Sequence, residues 1–141
     1  MTQNADGSQK TVTTNTYVTT AGSKIFGALK SVSDGMGNKT EYYYDSTNGR
    51  LLATANVYTS EGSVYSYDSL GRLTGVKPAK YSSSSSYTTE SNAEKVNYTY
   101  NSNGYLSTIT TGSTTYTLTY DAFGNSDVIK AGANTLVKQF A

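Results

Sequence analysis

A short turn led by tyrosines recurs along the chain, and it limits the possible folds more than any other feature. Residues 65–73 read Y-S-Y-D-S-L-G-R-L. Tyr65 and Tyr67 are two residues apart, so they share one face of an extended strand. Asp68 suits the first position of a type I turn, where its carboxylate accepts backbone N–H groups. Gly71 supplies the left-handed residue that closes the turn as a G1 bulge. The stretch is therefore predicted to be the tip of a β-hairpin.

Three other stretches repeat this tip with small changes. Residues 42–51 add one turn residue, residues 98–106 place Asn101 where the aspartate stands, and residues 118–125 replace the first tyrosine by Leu118. The turn acids or amides fall at positions 45, 68, 101 and 121, at intervals of 23, 33 and 20 residues. Roughly 20 residues make two strands and two turns, so each period is predicted to be one hairpin. A further turn at residues 34–38 lacks the aromatic lead.

The composition agrees with an all-β fold, because Thr and Tyr favour strands while Ser and Gly favour turns. The 141 residues include 14 Tyr, 13 Gly and a single Pro. Residues 1–10 are expected to be a disordered lead or tag, and residues 11–141 one array of hairpins. Residues 24–32 could also suit a short helical turn, and we favour a strand because the neighbouring segments are strands.

One segment interrupts the regular spacing. Pro78 is expected to mark the exit from regular pairing. Residues 78–93 lengthen one interval and include five consecutive serines at positions 82–86. A serine run of this kind is typical of an exposed, flexible loop, so we predict a loop inserted into the array.

After the turns, pairs of apolar residues recur three positions apart, at positions 29 and 32, 73 and 76, and 106 and 109. Strict strand alternation would place the two apolar side chains of each pair on opposite faces. Either a bulge restores a single face, or both faces are partly buried. We predict a bulge or local twist near Gly75 and its equivalents.

The residue types exclude several kinds of chemistry. The chain contains no His and no Cys, which excludes a Ser-His-Asp triad, a cysteine nucleophile, disulfides and most zinc sites. A carboxylate pair drawn from Asp45, Asp68 and Asp121 is formally possible. Each of these acids occupies a repeated turn position, which favours a role as turn former. We therefore expect no enzyme activity, no cofactor and no metal.

Charge and hydropathy also limit the partners. The formal net charge is +1, and no basic tract or long apolar run is present. This balance gives no reason to expect nucleic acid or membrane insertion.

The tyrosines that end the repeated strands are the candidate binding surface. Tyr44, Tyr67, Tyr100 and Tyr120 would stack into a ladder if the hairpins align. The ladder could pack successive repeats together, or it could contact carbohydrate by ring stacking. Packing is the favoured interpretation because repeat units must bury a face against their neighbours. A carbohydrate-binding module remains the alternative.

The recurring Y-x-Y-D-x-x-G-R-L pattern resembles the YD repeat, also called the RHS repeat. The likeness covers residues 28–141 and is clearest at residues 65–73, 98–106 and 120–125. Such repeats occur in bacterial wall-associated and polymorphic-toxin proteins and in animal teneurins. There, many hairpins spiral into a hollow shell that can enclose a C-terminal toxin.

The resemblance implies a non-enzymatic structural module: a curved sheet of tandem antiparallel hairpins that forms an arc of such a shell. The parent would be a large secreted protein, located outside the cell or on a bacterial cell surface. The implied partners are neighbouring repeats of the parent chain, and an enclosed toxin or a surface glycan. Open sheet edges invite pairing with another copy, so we also expect self-association.

Overall fold

The structure is a computed structural model that describes residues 2–3, 9–10, 12–83, 86–90 and 94–138. Within these ranges the chain is all-β, as predicted, and contains no helix. The strands are β1 (Thr2–Gln3), β2 (Gln9–Lys10), β3 (Thr13–Tyr17), β4 (Leu29–Asp34), β5 (Lys39–Tyr44), β6 (Leu51–Asn56), β7 (Glu61–Tyr67), β8 (Leu73–Ser83), β9 (Ser86–Thr89), β10 (Val96–Tyr100), β11 (Leu106–Thr111), β12 (Thr114–Tyr120), β13 (Ser126–Ala131) and β14 (Asn134–Lys138).

The strands follow one another as tandem hairpins. Strands β3 to β14 belong to a 12-stranded sheet with the order β14-β13-β12-β11-β10-β8-β7-β6-β5-β4-β3, and β9 pairs with β8 off this path. The described strand pairs of this sheet are antiparallel. Apart from β9, strands that follow one another in the sequence therefore lie side by side in the sheet. This order confirms the predicted array of antiparallel hairpins.

The expected disordered lead is described only in part. Thr2–Gln3 and Gln9–Lys10 pair antiparallel as a separate two-stranded sheet. The other residues of the lead, at positions 1 and 4–8, lie outside the described residues.

Two compact units divide the chain. The first comprises Met1–Tyr65 with Pro78–Ser91, and the second comprises Ser66–Lys77 with Asn92–Ala141. The inserted segment thus belongs to the first unit, although it interrupts the sequence of the second.

The turn at residues 68–72 has the predicted geometry. Asp68 Oδ1 accepts the backbone N–H groups of Leu70 and Arg72, each at 2.9 Å. The Gly71 N–H donates to the Asp68 carbonyl at 3.0 Å, and Gly71 has a φ of +87°. These bonds and the left-handed glycine confirm a type I turn closed by a G1 bulge.

The other tips use the same bonds. At positions 34, 101 and 121 the side-chain Oδ1 accepts N–H groups from the residues two and four further on. Their turn glycines have φ angles of +89°, +85° and +85°. The turn after Asp45 has one extra residue, and its Gly49 has a φ of +78°. The turn at residues 34–38 therefore belongs to the same class despite lacking the aromatic lead.

A bulge follows the turn, as the apolar spacing predicts. In β11 the register skips Ser107, so Leu106 lies opposite Tyr100 and Ile109 lies opposite Tyr98. Since Tyr98 and Tyr100 share a face, the bulge brings Leu106 and Ile109 to one face. The register skips residue 30 of β4, residue 52 of β6 and residue 127 of β13 in the same way. Ser31 in β4 and Thr108 in β11 are the residues equivalent to Gly75. In both strands the skipped residue comes one position before them.

Residues 24–28 form a loop, so the predicted strand at 24–32 is wrong in its first half. The Phe26 N–H donates to the Ser23 carbonyl and the Ala28 N–H to the Ile25 carbonyl, each at 3.0 Å. Gly27 has a φ of +78°, and Phe26 is 63% exposed. These tight local turns leave the extended conformation to begin at Leu29.

The insertion forms a hairpin where the sequence predicts a loop. β8 continues through Pro78 to Ser83 and pairs antiparallel with β9, with Tyr81 opposite Tyr87. A salt bridge of 2.7 Å joins Lys80 Nζ to Glu90 Oε1. The strand propensity of the facing tyrosines and the neighbouring threonines outweighs that of the serines. Residues 84–85 and 91–93 lie outside the described residues.

The most deeply buried described side chains are small, and they lie in the first unit. Ala53, Ala55 and Ala79 are 0%, 1% and 3% exposed, and Ser31 is 5% exposed. Ala79 comes from the insertion, so the inserted hairpin contributes to the packing of this unit. Gly62 lies opposite Ala55, and a methyl group there would collide with the carbonyl oxygen of Thr54. Close backbone packing thus replaces large buried side chains.

In the second unit, an apolar face and a threonine face lie on opposite sides of the strands. Residues 98, 109 and 116 lie opposite one another on β10, β11 and β12 and make an apolar row. On the other face Thr99 lies opposite Thr108, and their hydroxyls are 2.7 Å apart. The apolar row is half-buried. Cross-strand rows of this kind are the unit of sheet stabilisation.

We expect Gly71→Ala to lower the free energy of unfolding by roughly 1 kcal/mol or more, because alanine is strained at a φ of +87°. Denaturant or thermal unfolding measures the change. Gly71→Asn is the matched comparison, and it should lose less stability because asparagine tolerates the left-handed region. An alanine variant as stable as the parent protein would contradict this turn.

The hydrogen bonds in the turns make the free energy of unfolding depend on pH. They hold the pKa of the carboxyls at positions 34, 45, 68 and 121 below the ordinary value of 3.8. The unfolded chain then binds more protons than the folded chain near that pH. The stabilisation is present above pH 3.8 and is lost as the pH falls through the lower folded values. The hydrogen bond that lowers each pKa most comes from a different donor. The donors are the Asn38 side-chain amide for Asp34, the Thr47 hydroxyl for Asp45, the Arg72 backbone N–H for Asp68 and the Asn125 side-chain amide for Asp121.

A variant with asparagine at all four positions should stay folded, since Asn101 already makes the same backbone bonds. Its free energy of unfolding should depend less on pH below about 4 than that of the parent protein. Denaturant unfolding at a series of pH values tests this. Equal acid sensitivity in the two proteins would show that the turn carboxylates do not control it.

Candidate functional site

The four predicted site tyrosines occupy equivalent places, each at the end of a strand that enters a turn. Tyr44 ends β5, in the first unit. Tyr67 ends β7, Tyr100 ends β10 and Tyr120 ends β12, in the second unit. All four side chains are half-buried, so part of each ring remains accessible to solvent.

Three of these tyrosines use their hydroxyls in the same way. Each hydroxyl donates to the backbone carbonyl of the leucine that begins the preceding neighbour strand in the sheet. The bond therefore ties the strand leaving one turn or loop to the strand entering the next. The bonds are Tyr44 to Leu29 at 2.9 Å, Tyr100 to Leu73 at 2.7 Å, and Tyr120 to Leu106 at 2.7 Å.

The rings of Tyr100 and Tyr120 are each covered by the residue that follows the preceding turn glycine. The Arg72 guanidinium carbon lies 4.5 Å from the centroid of the Tyr100 ring, and Arg72 Nε donates to Asp68 Oδ2 at 2.7 Å. Tyr105 holds the position equivalent to Arg72 in the next tip. Its ring centroid lies 5.0 Å from that of Tyr120. A guanidinium and a phenol ring thus serve the same packing role, one by a cation–π contact and one by ring stacking.

A groove of about 290 Å³ adjoins Tyr44 in the first unit. Tyr17, Tyr42 and Tyr44 contribute aromatic surface, and Lys30 contributes a charged group. The volume is near the lower limit for small-molecule sites, and aromatic surface with a few polar groups is typical of them. Tyr17 and Lys30 were not predicted from the sequence as site residues. Tyr17 ends a strand as the ladder tyrosines do, but the repeated turn does not follow it.

A different tyrosine cluster surrounds Tyr43, whose side chain leaves β5 on the face opposite Tyr44. The Tyr43 hydroxyl donates to Glu41 Oε2 at 2.8 Å, and Lys39 Nζ donates to Glu41 Oε1 at 2.6 Å. The Tyr43 ring centroid lies 5.0 Å from that of Tyr87, with the planes at 57°. Burial, followed by the bond to the Glu41 carboxylate, raises the pKa of Tyr43. Tyr43 therefore stays protonated at neutral pH.

The three candidate carboxylates of a catalytic pair lie in separate turns. Asp45, Asp68 and Asp121 each accept the backbone N–H of the residue two positions on, at 2.8 to 2.9 Å. Turn formation thus uses oxygens that acid–base chemistry would need. Among the described residues, no group of three acidic, histidine or cysteine side chains could hold a metal ion. The same part of the chain has no helix long and apolar enough to cross a membrane.

A scan against protein-family models gives no match to the chain, and a search of the curated proteins gives none either.

Proposed function

We propose that this chain is a non-enzymatic structural module made of repeats, a segment of the β-shell of a large secreted or cell-surface protein. The observation that carries the proposal is the hydroxyl bond that recurs at Tyr44, Tyr100 and Tyr120. Each of these side chains fastens its own strand to the backbone of a neighbouring strand. A residue used in this way serves the assembly of repeats.

The same set of interactions can join further hairpins to the sheet. The turn fixes the register of each hairpin, the bulge turns apolar residues to one face, and the tyrosine bonds to the neighbouring hairpin. Because each period contacts only its neighbours, further periods would add stability in the same way. The resemblance to YD repeats supports a shell that encloses a C-terminal toxin or effector, and a location outside the cell or on a bacterial surface.

The same geometry suggests partners. β3 and β14 stand at the ends of the strand order, and both have exposed side chains throughout. Edge strands are templates for further pairing. We propose that neighbouring repeats of a longer chain pair there, and that a second copy replaces them at high protein concentration.

Removing single hydroxyls tests the structural role. We expect Tyr100→Phe and Tyr120→Phe each to lower the free energy of unfolding by about 1 kcal/mol, because each leaves a backbone carbonyl without its donor. Tyr58→Phe is the control, since Tyr58 is 76% exposed. Denaturant unfolding measures all three variants. Phenylalanine variants as stable as the control would remove the support for this proposal.

The groove beside Tyr44 supports a second candidate function, carbohydrate binding in the first unit. Sugar rings stack on tyrosine, and their hydroxyls pair with charged groups such as Lys30. Tyr44 borders a cavity that Tyr17 also lines. The candidate site is therefore this groove and does not need the whole ladder.

Titration calorimetry with common mono- and disaccharides tests the second candidate. We expect saturable binding that Tyr17→Ala abolishes, because Tyr17 is 51% exposed and its loss removes one aromatic wall. Tyr58→Ala is the matched control, since Tyr58 is an exposed tyrosine away from the groove lining. Absence of saturable heat at millimolar sugar would exclude this function and leave the structural proposal intact.

A further inference from the structure

Two tyrosines from distant parts of the sequence meet in the first unit. Tyr43 lies on β5 and Tyr87 on β9, 44 positions apart, yet their ring centroids are only 5.0 Å apart. The Tyr43 hydroxyl also lies 3.4 Å from the Ser86 carbonyl. The pair thus joins the central strands of this unit to the inserted hairpin.

The surroundings of Tyr43 favour its oxidation. A phenol loses an electron more readily when its proton passes to a base in the same step. Glu41 accepts the Tyr43 hydroxyl hydrogen bond at 2.8 Å, and the Glu41 side chain is only 13% exposed. The Lys39 ammonium bonds to the other carboxylate oxygen at 2.6 Å and holds the carboxylate in position. A base is therefore held in place for the phenol proton.

We propose that Tyr43 and Tyr87 form a site of oxidative cross-linking, where a dityrosine bond fastens the inserted hairpin to strand β5. The oxidant is hydrogen peroxide acting through a haem peroxidase. Each phenol loses one electron and one proton, and the two phenoxyl radicals join through a new bond between ring carbons ortho to the hydroxyls. Each coupled ring then moves its displaced ring hydrogen to oxygen. The two electrons and two protons reduce one hydrogen peroxide to two waters.

The second unit contains a comparison pair. Tyr105 and Tyr120 have the same centroid separation of 5.0 Å. The Tyr120 hydroxyl, however, donates to the neutral Leu106 carbonyl, which is a far weaker base than a carboxylate. We therefore expect the Tyr43–Tyr87 pair to react first, although ring proximity is equal.

The cross-link would act as a staple in a chain that has no cysteine. A covalent bond between residues 44 positions apart restricts the unfolded chain, as a disulfide over a similar loop does. It would hold the inserted hairpin against strand β5. A surface module exposed to oxidants would thereby become more stable on oxidation.

The experiment uses the full chain at low concentration with peroxidase and hydrogen peroxide. The monomer is isolated, digested with trypsin and analysed by mass spectrometry. Trypsin cuts after Lys39, Arg50, Lys80 and Lys95, so Tyr43 and Tyr87 fall in separate peptides, 40–50 and 81–95. We expect these peptides to appear joined, lighter by two hydrogen atoms than their sum, with fragment ions that place the link at Tyr43 and Tyr87.

Matched variants separate the proposed site from general oxidation. Tyr43→Phe and Tyr87→Phe keep the rings and should each abolish the joined peptide, whereas Tyr58→Phe should not change it. Glu41→Gln should lower the initial rate several-fold, because an amide cannot take the proton. Lys39→Gln, which breaks the same ion pair but keeps the carboxylate, should lower it less. Melting curves before oxidation confirm that each variant is folded.

Three results would overturn the proposal. The joined peptide could be missing from the oxidised folded protein. It could form with equal yield in the folded chain and in the chain unfolded by urea, which would show random encounter. It could also persist in a folded Tyr87→Phe variant, which would place the link at Tyr81, the other tyrosine of that peptide.

Discussion

The hydrogen bonds that an acidic or amide side chain accepts at each turn are the constraint on which the rest of this structure depends. At residues 68–72 they fix the chain direction, and the left-handed Gly71 lets the next strand return in register. The bulge just after the turn then brings two apolar residues to one face. Only in that register does the tyrosine before the next turn reach the leucine carbonyl of the neighbouring strand. One local interaction is thus converted, step by step, into contact between hairpins.

This way of folding needs little conventional core. Among the described residues, the buried apolar side chains are alanines, and most of the tyrosines, isoleucines and valines of the sheet are half-buried. Rows of side chains across neighbouring strands supply the packing instead, each supported by the strand on either side. A hairpin of this kind is weak alone and stronger beside a copy of itself, which is the property that a wall of repeats requires. The inserted hairpin is a local exception, since it helps to bury small residues in its own unit.

The parts of the fold that follow from local chemistry could be predicted from the sequence. Asp68 and Gly71 specify their turn almost alone, and the spacing of apolar residues three positions apart favoured a bulge. The errors concern features decided by distant contacts or by competing local bonds. Turns at Ser23 and Ile25 override the apolar pattern of residues 24–28. The serine run gave no indication of the inserted hairpin, which depends on facing tyrosines and on packing within the first unit. The groove at Tyr17 and the cluster at Tyr43 also depend on distant contacts. Neither could be predicted, because no sequence motif within a single repeat marks them.

Strand alternation gives neighbouring tyrosines different chemistry. Tyr44 and Tyr43 are adjacent in sequence, but they project from opposite faces of β5. The Tyr44 hydroxyl donates to a neutral backbone carbonyl, which holds a neighbouring strand but offers the phenol proton only a weak base. The Tyr43 hydroxyl donates to a carboxylate, beside a second phenol from a distant segment. The identity of the acceptor therefore decides whether a tyrosine in this sheet serves only as a fastener or also as a site of covalent chemistry.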